Sequence, residues 1–191
     1  MALVAVCGFR PSLGTGKSLS FISHRHPSRR TVSSRFIKVA AIQFRADPGD
    51  ILNNLSRAES LVLKAAAQGA HIVLLPELAP GGYVLTEEIW NTAETMQGHS
   101  VAWLQATAMR LNIYLGMSFL EAEETDFYNS FVLATPSGEI AGRVRKDPPA
   151  SAEAYFFRAG NDEHFIDTDI GRIGVSICYE ALLHERLAEH Q

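Results

Sequence analysis

Cysteine is nearly absent: Cys7 and Cys178 are the two in 191 residues. Two thiols so far apart supply neither a disulfide framework nor the paired spacing that binds zinc. Long apolar runs are missing too. None approaches the roughly 18–20 residues that span a bilayer, so no membrane span is expected. Acidic residues are missing from one region only. The first 38 residues carry seven basic groups (Arg10, Lys17, Arg25, Arg29, Arg30, Arg35, Lys38) and no acid, whereas the remaining 153 carry ten basic and 21 acidic groups. The net charge of −4 therefore joins a +7 segment to a −11 body, and the overall balance disfavours a nucleic-acid binder. The seven histidines are scattered, with His24 and His26 in the basic segment, and form no ligand cluster.

What is present is an apolar fraction of 47%, enough for a real core and too much for a disordered chain. Residues 1–36 add seven serines to the arginines. An Arg- and Ser-rich, acid-free N-terminus reads as an organellar transit peptide, disordered, ahead of a domain at 37–191. The expected location is a plastid or mitochondrion, the uncharged Met-Ala start favouring the plastid; without import it is the cytoplasm. Gly14-Thr15-Gly16-Lys17-Ser18 imitates the end of a phosphate-binding loop, but Pro11 stands where that motif needs its first glycine.

From Ile37 the pattern becomes that of a folded domain. Ile37–Phe44 and His71–Pro76 read as buried strands, with a helix between them carrying Leu52, Leu55, Ala58, Leu61, Val62 and Ala65 at helical spacing. Asp50 is its expected N-cap and Gly69 its C′ residue. Strand, helix, strand predicts a parallel βαβ unit. Helices are expected over Thr86–Glu94 and Ser100–Asn112, the second capped by Ser100. Strands are expected over Ile113–Leu120, Phe127–Ala134, Ile140–Arg145, Phe165–Thr168 and Arg172–Ile177, and a helix from Leu182. Residues 147–164 read as a long loop, a common home for function. The class is α/β, with both parallel and hairpin pairings.

Three groups stand at strand ends. Cys178 follows Arg172–Ile177 at a strand-to-helix corner. There the following N–H groups stabilise negative charge, which predicts a thiol pKa below the free value of about 8.5. Glu77 follows His71–Pro76 at the edge where α/β sites form. Lys146 ends Ile140–Arg145. Taken singly, each has a bland alternative: a buried inert thiol, a solvated carboxylate, a solvent-facing base in a basic run. Together they are more informative.

The segments Val39-Ala40-Ala41-Ile42-Gln43, Leu74-Leu75-Pro76-Glu77, Gly142-Arg143-Val144-Arg145-Lys146 and Gly174-Val175-Ser176-Ile177-Cys178-Tyr179-Glu180 occur in one order. In these the chain resembles the nitrilase, or carbon–nitrogen hydrolase, superfamily. The resemblance implies a four-layer α-β-β-α sandwich, incomplete here because the chain stops 13 residues after Cys178. It also implies a catalytic triad of Glu77, Lys146 and Cys178, with Glu153 as an assisting carboxylate. Glu77 is then the base that takes the thiol proton. Lys146 and the Tyr179 backbone N–H stabilise the intermediate's charge, a donor of that kind being worth about 3–4 kcal/mol. Tyr83 and Tyr155 either line the substrate pocket or serve as packing aromatics.

The implied partner is a small amide, ureide or nitrile substrate, cleaved with release of ammonia or an amine and needing no cofactor or metal. Cys178-Tyr179-Glu180 in place of Cys-Trp-Glu favours an amidase over a nitrilase. A full-length protein is expected as a homodimer or higher oligomer. Two other readings stand beside this one: an inactive, truncated binding or oligomerisation module, and an unrelated Cys-His hydrolase, which no histidine context supports.

Overall fold

The structure is a computed structural model describing residues 36–183 in full and residues 4–10 as backbone. In chain order the elements are β1 (Val4–Arg10), β2 (Val39–Ala41), α1 (Ile51–Ala67), β3 (Ile72–Leu74), α2 (His99–Leu111), β4 (Tyr114–Glu123), β5 (Asp126–Ala134), β6 (Ile140–Arg145), β7 (Phe165–Thr168) and β8 (Gly171–Ile177). Short 3₁₀ turns cover Glu87–Thr92, Ser151–Tyr155 and Cys178–Leu182.

Helix α1 starts where Asp50 accepts a hydrogen bond from the Asn53 N–H (3.3 Å) and stops before Gly69, whose φ of 82° suits a C′ glycine. Its buried stripe of Leu55, Ala58, Val62 and Ala65 packs on a five-stranded sheet ordered β2-β3-β4-β5-β6. The β2-β3 and β3-β4 pairs are parallel, joined by α1 and α2; β4-β5 and β5-β6 are antiparallel. The alternation of strand side chains splits the core in two. Val73, Leu115, Met117, Phe119 and Val132 face the helices, while Ile72, Leu74, Tyr114, Phe131 and Leu133 face a second sheet. That sheet is ordered β1-β8-β7, antiparallel throughout, and contributes Ile166, Ile173, Val175 and Ile177. A sheet buried on both faces explains why its strands read as continuous apolar runs. Each such side chain adds about 1.5–3 kcal/mol on burial. The described layers run α-β-β, an α/β fold.

Several expectations need correction. Strand β2 is three residues long rather than eight, because the chain after Ile42 leaves the sheet to wall a cavity. Helix α2 begins at His99 with Gly98 as cap; Ser100 lies inside it, where its N–H and hydroxyl both bond the Glu94 carboxylate. The segment Thr86–Glu94 forms only the 3₁₀ turn. Residues 4–10, read as part of a disordered leader, pair antiparallel with β8 from Val4 opposite Ile177 to Arg10 opposite Arg172. The rest of that leader, the Gly14–Ser18 decoy and most of the helix expected from Leu182 lie outside the described residues. Among the described residues no helix is long and apolar enough to cross a membrane.

Gly116 marks a tightly packed point within the five-stranded sheet, between neighbouring strands β3 and β5. A Cβ there would lie 2.6 Å from Phe131 Cζ and 2.7 Å from Leu74 Cδ2, both core atoms. Gly116→Ala is expected to cost about 1–3 kcal/mol through overpacking. Urea denaturation measures this, and an unchanged midpoint would show that Phe131 has room to move.

Candidate active site

Three strand ends and one residue inside a strand meet at one cluster. Glu77 follows β3, Lys146 follows β6, Cys178 follows β8, and Asn129 sits within β5. Lys146 Nζ donates to Glu77 Oε1 at 2.7 Å and to Glu153 Oε1 at 2.9 Å. All three side chains are essentially sealed from water, with residue exposures of 1% for Lys146, 4% for Glu77 and 0% for Glu153. The basic run does not face solvent. Arg145 turns to Glu121 in a bidentate pair and lies over the Tyr128 ring, while Lys146, the next residue, turns to the opposite side. Burial alone would lower the Lys146 pKa, but the two carboxylates outweigh it and hold the ammonium above its ordinary value.

Glu153 comes from the loop after β6. Its Oε2 accepts the Ala150 N–H at 2.6 Å, and its Oε1 accepts the Tyr83 hydroxyl at 2.7 Å. Burial, reinforced by that carboxylate, pushes the Tyr83 phenol well above its usual value. Asn129 Nδ2 donates to Glu77 Oε1 at 2.7 Å; its Oδ1 takes the Ser118 hydroxyl, which in turn accepts the Leu78 N–H. Glu77 Oε1 is thus fully engaged. Glu77 Oε2 is buried with no hydrogen-bond partner among the described residues.

Cys178 adopts φ = 55°, a left-handed conformation that costs a non-glycine residue about 1–2 kcal/mol. Glu180 holds the bend: its Oε2 accepts the Ile177 N–H at 2.5 Å and its Oε1 accepts the Asp147 N–H at 2.6 Å. One buried carboxylate therefore ties the cysteine corner to the residue after Lys146. Burial, and then the Glu77 charge, raise the thiol pKa against the opposing pull of Lys146. This reverses the expectation of a lowered value. Two carboxylates stand near the sulfur against one ammonium, and the side chain is partly buried.

Cys178, Glu77 and Tyr83 line one open cavity of about 810 Å³, whose other wall is the Gln43–Ala46 segment with Pro48. Lys146 and Glu153 stand behind that lining. Tyr155 is elsewhere: it is 84% exposed. The 3₁₀ turn that points Glu153 inward carries Tyr155, two residues on, outward, to a separate surface recess that it lines with Trp90, Asp126 and Phe156. Tyr179 follows the cysteine in its own 3₁₀ turn with a half-exposed ring. Among the described residues no group of three or more His, Cys, Asp or Glu side chains is placed to hold a metal ion.

The sequence reading missed Glu180, Asn129 and Ser118. Glu180 left one signal, a glutamate three residues after a strand's last residue, where a side chain reaches back to a free N–H. The other two lie within strands and left none.

Comparison with known proteins identifies the family and the fold. The carbon–nitrogen hydrolase family model matches residues 38–189. The N-carbamoylputrescine amidase of Solanum lycopersicum is 33% identical over 156 residues, covering 77% of this chain and 52% of that protein. The citrullinase of Francisella tularensis is 31% identical, covering 75% and 53%. Among solved structures, XC1258 from Xanthomonas campestris is a CN-hydrolase superfamily protein with an arsenic adduct in its active site. It matches with a TM-score of 0.64 at 25% identity over 71% of this chain and 51% of that one. The chain thus spans about half the length of the relatives it matches. On the match across residues 38–189 and on these relatives, it belongs to the carbon–nitrogen hydrolase family.

Proposed function

We propose that the protein hydrolyses a carbon–nitrogen bond of a small amide, ureide or nitrile through a covalent intermediate on Cys178, an amidase more than a nitrilase. The observation that carries this reading is the free oxygen of Glu77. Oε1 is locked by Lys146 and Asn129, while Oε2 is buried and unpartnered in the cavity wall that Glu77 shares with Cys178. A neutral thiol facing an ionised carboxylate is the starting state for general-base catalysis.

Glu77 Oε2 takes the thiol proton as the sulfur attacks the substrate carbon. With an amide or ureide the bond to nitrogen then breaks as the proton passes from Glu77 to the departing amine or ammonia; with a nitrile the sulfur adds to give a thioimidate, which takes up water before ammonia leaves. Water attacks the resulting thioester, again with Glu77 as base, and frees the acid and the thiol. Lys146 and the Tyr179 backbone N–H stabilise the charge on the tetrahedral intermediate. Glu153 holds Lys146 from behind and keeps it charged. The amidases, nitrilases and citrullinase among the relatives support this class of substrate. For location, the acid-free leader supports import into a plastid or mitochondrion. A fluorescent protein fused to residues 1–40 is expected in that organelle, and a uniformly cytosolic signal would reject the proposal.

Ammonia release from primary amides, alkylureas and nitriles tests the activity. Cys178→Ala is expected to reduce turnover by at least about 10³-fold; unchanged turnover would remove Cys178 from the mechanism. Glu77→Gln separates base from electrostatics. Removing that negative charge withdraws one cause of the raised thiol pKa, so the pH profile of iodoacetamide alkylation at Cys178 should move to lower pH. Turnover should nevertheless fall about 10²–10⁴-fold, because the proton acceptor is gone. An unmoved alkylation profile, or retained turnover, would contradict the role given to Glu77.

A further inference from the structure

The cavity has a second charged wall residue. Of the seven arginines whose side chains the structure describes, six are paired with carboxylates: Arg57 with Asp47, Arg110 with Glu59, Arg143 and Arg145 with Glu121, Arg158 with Asp126, and Arg172 with Asp167. Arg45 is the exception. Its side chain makes no hydrogen bond or ion pair among the described residues, it is exposed, and it lines the same cavity as Cys178 and Glu77. In an acidic body where the other described arginines have acidic partners, a guanidinium left unpaired on a cavity wall lacks an anion.

The backbone that carries Arg45 is fixed. Arg57 Nη2 donates to the Arg45 carbonyl at 2.7 Å, and the same guanidinium pairs with Asp47 at 2.6 Å and sits over the Phe44 ring. Asn54, fully buried in α1, exchanges hydrogen bonds with the Asp47 backbone and donates to the Pro80 carbonyl at 2.8 Å. The segment holding Arg45 and the loop after Glu77 are thereby held to one helix. The guanidinium is presented from a fixed stretch of wall, while its side chain stays free to close on a ligand.

We propose that Arg45 is the anion-recognition residue of this cavity, and that the substrate is a small amide or ureide bearing a carboxylate, bound with the carboxylate at Arg45 and the scissile carbon at Cys178. The proposal rests on the hydrolase reading above and adds the substrate's charge and orientation. The Cys178 end cannot take the carboxylate, because Glu77 and Glu153 outnumber Lys146 there. A guanidinium fork matches a carboxylate with two parallel hydrogen bonds. A single negative charge suits a single arginine. A dianionic phosphate would leave charge uncompensated beside Glu77, and apart from Gln43 the lining between the two ends (Phe44, Ala46, Pro48, Pro76, Ala79) is apolar and suited to a short methylene chain.

The test is binding, so that it stands apart from turnover. Isothermal titration of the Cys178→Ala protein would use ω-ureido acids with two to five methylenes, their methyl esters, and the matching ω-aminoalkylureas. At least one acid is expected to bind roughly 10- to 100-fold tighter than its ester and than the amine, the range for a charge-assisted hydrogen-bonded contact. Adding Arg45→Gln should bring that acid to the affinity of its ester and leave the ester within about twofold. Because the Arg45 side chain makes no hydrogen bond or ion pair among the described residues, the thermal midpoint should not move. The proposal is overturned if no acid binds, if esters or amines bind as well as the acids, or if Arg45→Gln weakens acid and ester alike. A protein that binds the acid through Arg45 yet hydrolyses nothing would refute the Cys178 chemistry and leave the Arg45 assignment standing.

Discussion

The buried ammonium of Lys146 is the constraint around which the rest is arranged. Taking one such charge out of water costs several kcal/mol, and removing its partner commonly costs 3–5 kcal/mol more. Lys146 is tolerated because Glu77 and Glu153 arrive from two different directions, one from the end of β3 and one from the loop after β6. Those carboxylates are in turn held by Asn129, by the Ala150 N–H and by the Tyr83 hydroxyl. Apart from Glu77 Oε2, the polar atoms of the network are satisfied by one another, so strand ends from distant parts of the chain are locked to a common point. Glu180 extends the lock to the cysteine corner by bonding backbone on both sides of the gap.

That arrangement also sets the chemical state of the sulfur. Two carboxylates and one ammonium leave a formal charge of −1 in a place shielded from water. A thiolate would add a second negative charge, so the resting sulfur stays protonated and its pKa rises. The strand-to-helix corner, read alone, argues the other way, since free N–H groups favour an anion. Burial acts first and the full charge on Glu77 second, and together they exceed the opposing pull of Lys146. In the proposed mechanism the nucleophile is therefore generated when its proton is taken, rather than stored as a reactive anion.

The apolar pattern made most of the fold legible. The βαβ unit, the Ile140–Arg145 strand and the hairpin before it follow from periodicity and turn residues, because burying apolar surface is what those elements do. Polar side chains that build the site leave weaker traces. Glu77, Lys146 and Cys178 could be found because each stands directly after a buried strand. Glu153 emerged only through the family resemblance. Asn129, Ser118 and Asn54 were invisible, since their role depends on partners about 10 to 50 residues away. Ser100 and Tyr155 were misplaced for a related reason. Each has a plausible local role, as a cap or a pocket aromatic, that tertiary contacts override: Glu94 captures Ser100 from outside α2, and the inward turn of Glu153 sends Tyr155 to solvent.

The short length of β2 connects fold to chemistry most directly. A longer strand would have kept Gln43–Arg45 in the sheet, paired and flat against β3. Instead the chain leaves after Ile42, and the turn at Asp47 is gripped by Asn54 and Arg57 from α1. Parallel strands β2 and β3 end side by side, and their departing loops diverge to open a crevice there, as strand exits in α/β sheets commonly do. One exit carries Glu77, the proposed base, and the other carries Arg45, which has no ion pair among the described residues. The helix that joins the two strands fixes the path of both loops. The crossover that closes the first βαβ unit thus also fixes where the two charged walls of the cavity stand.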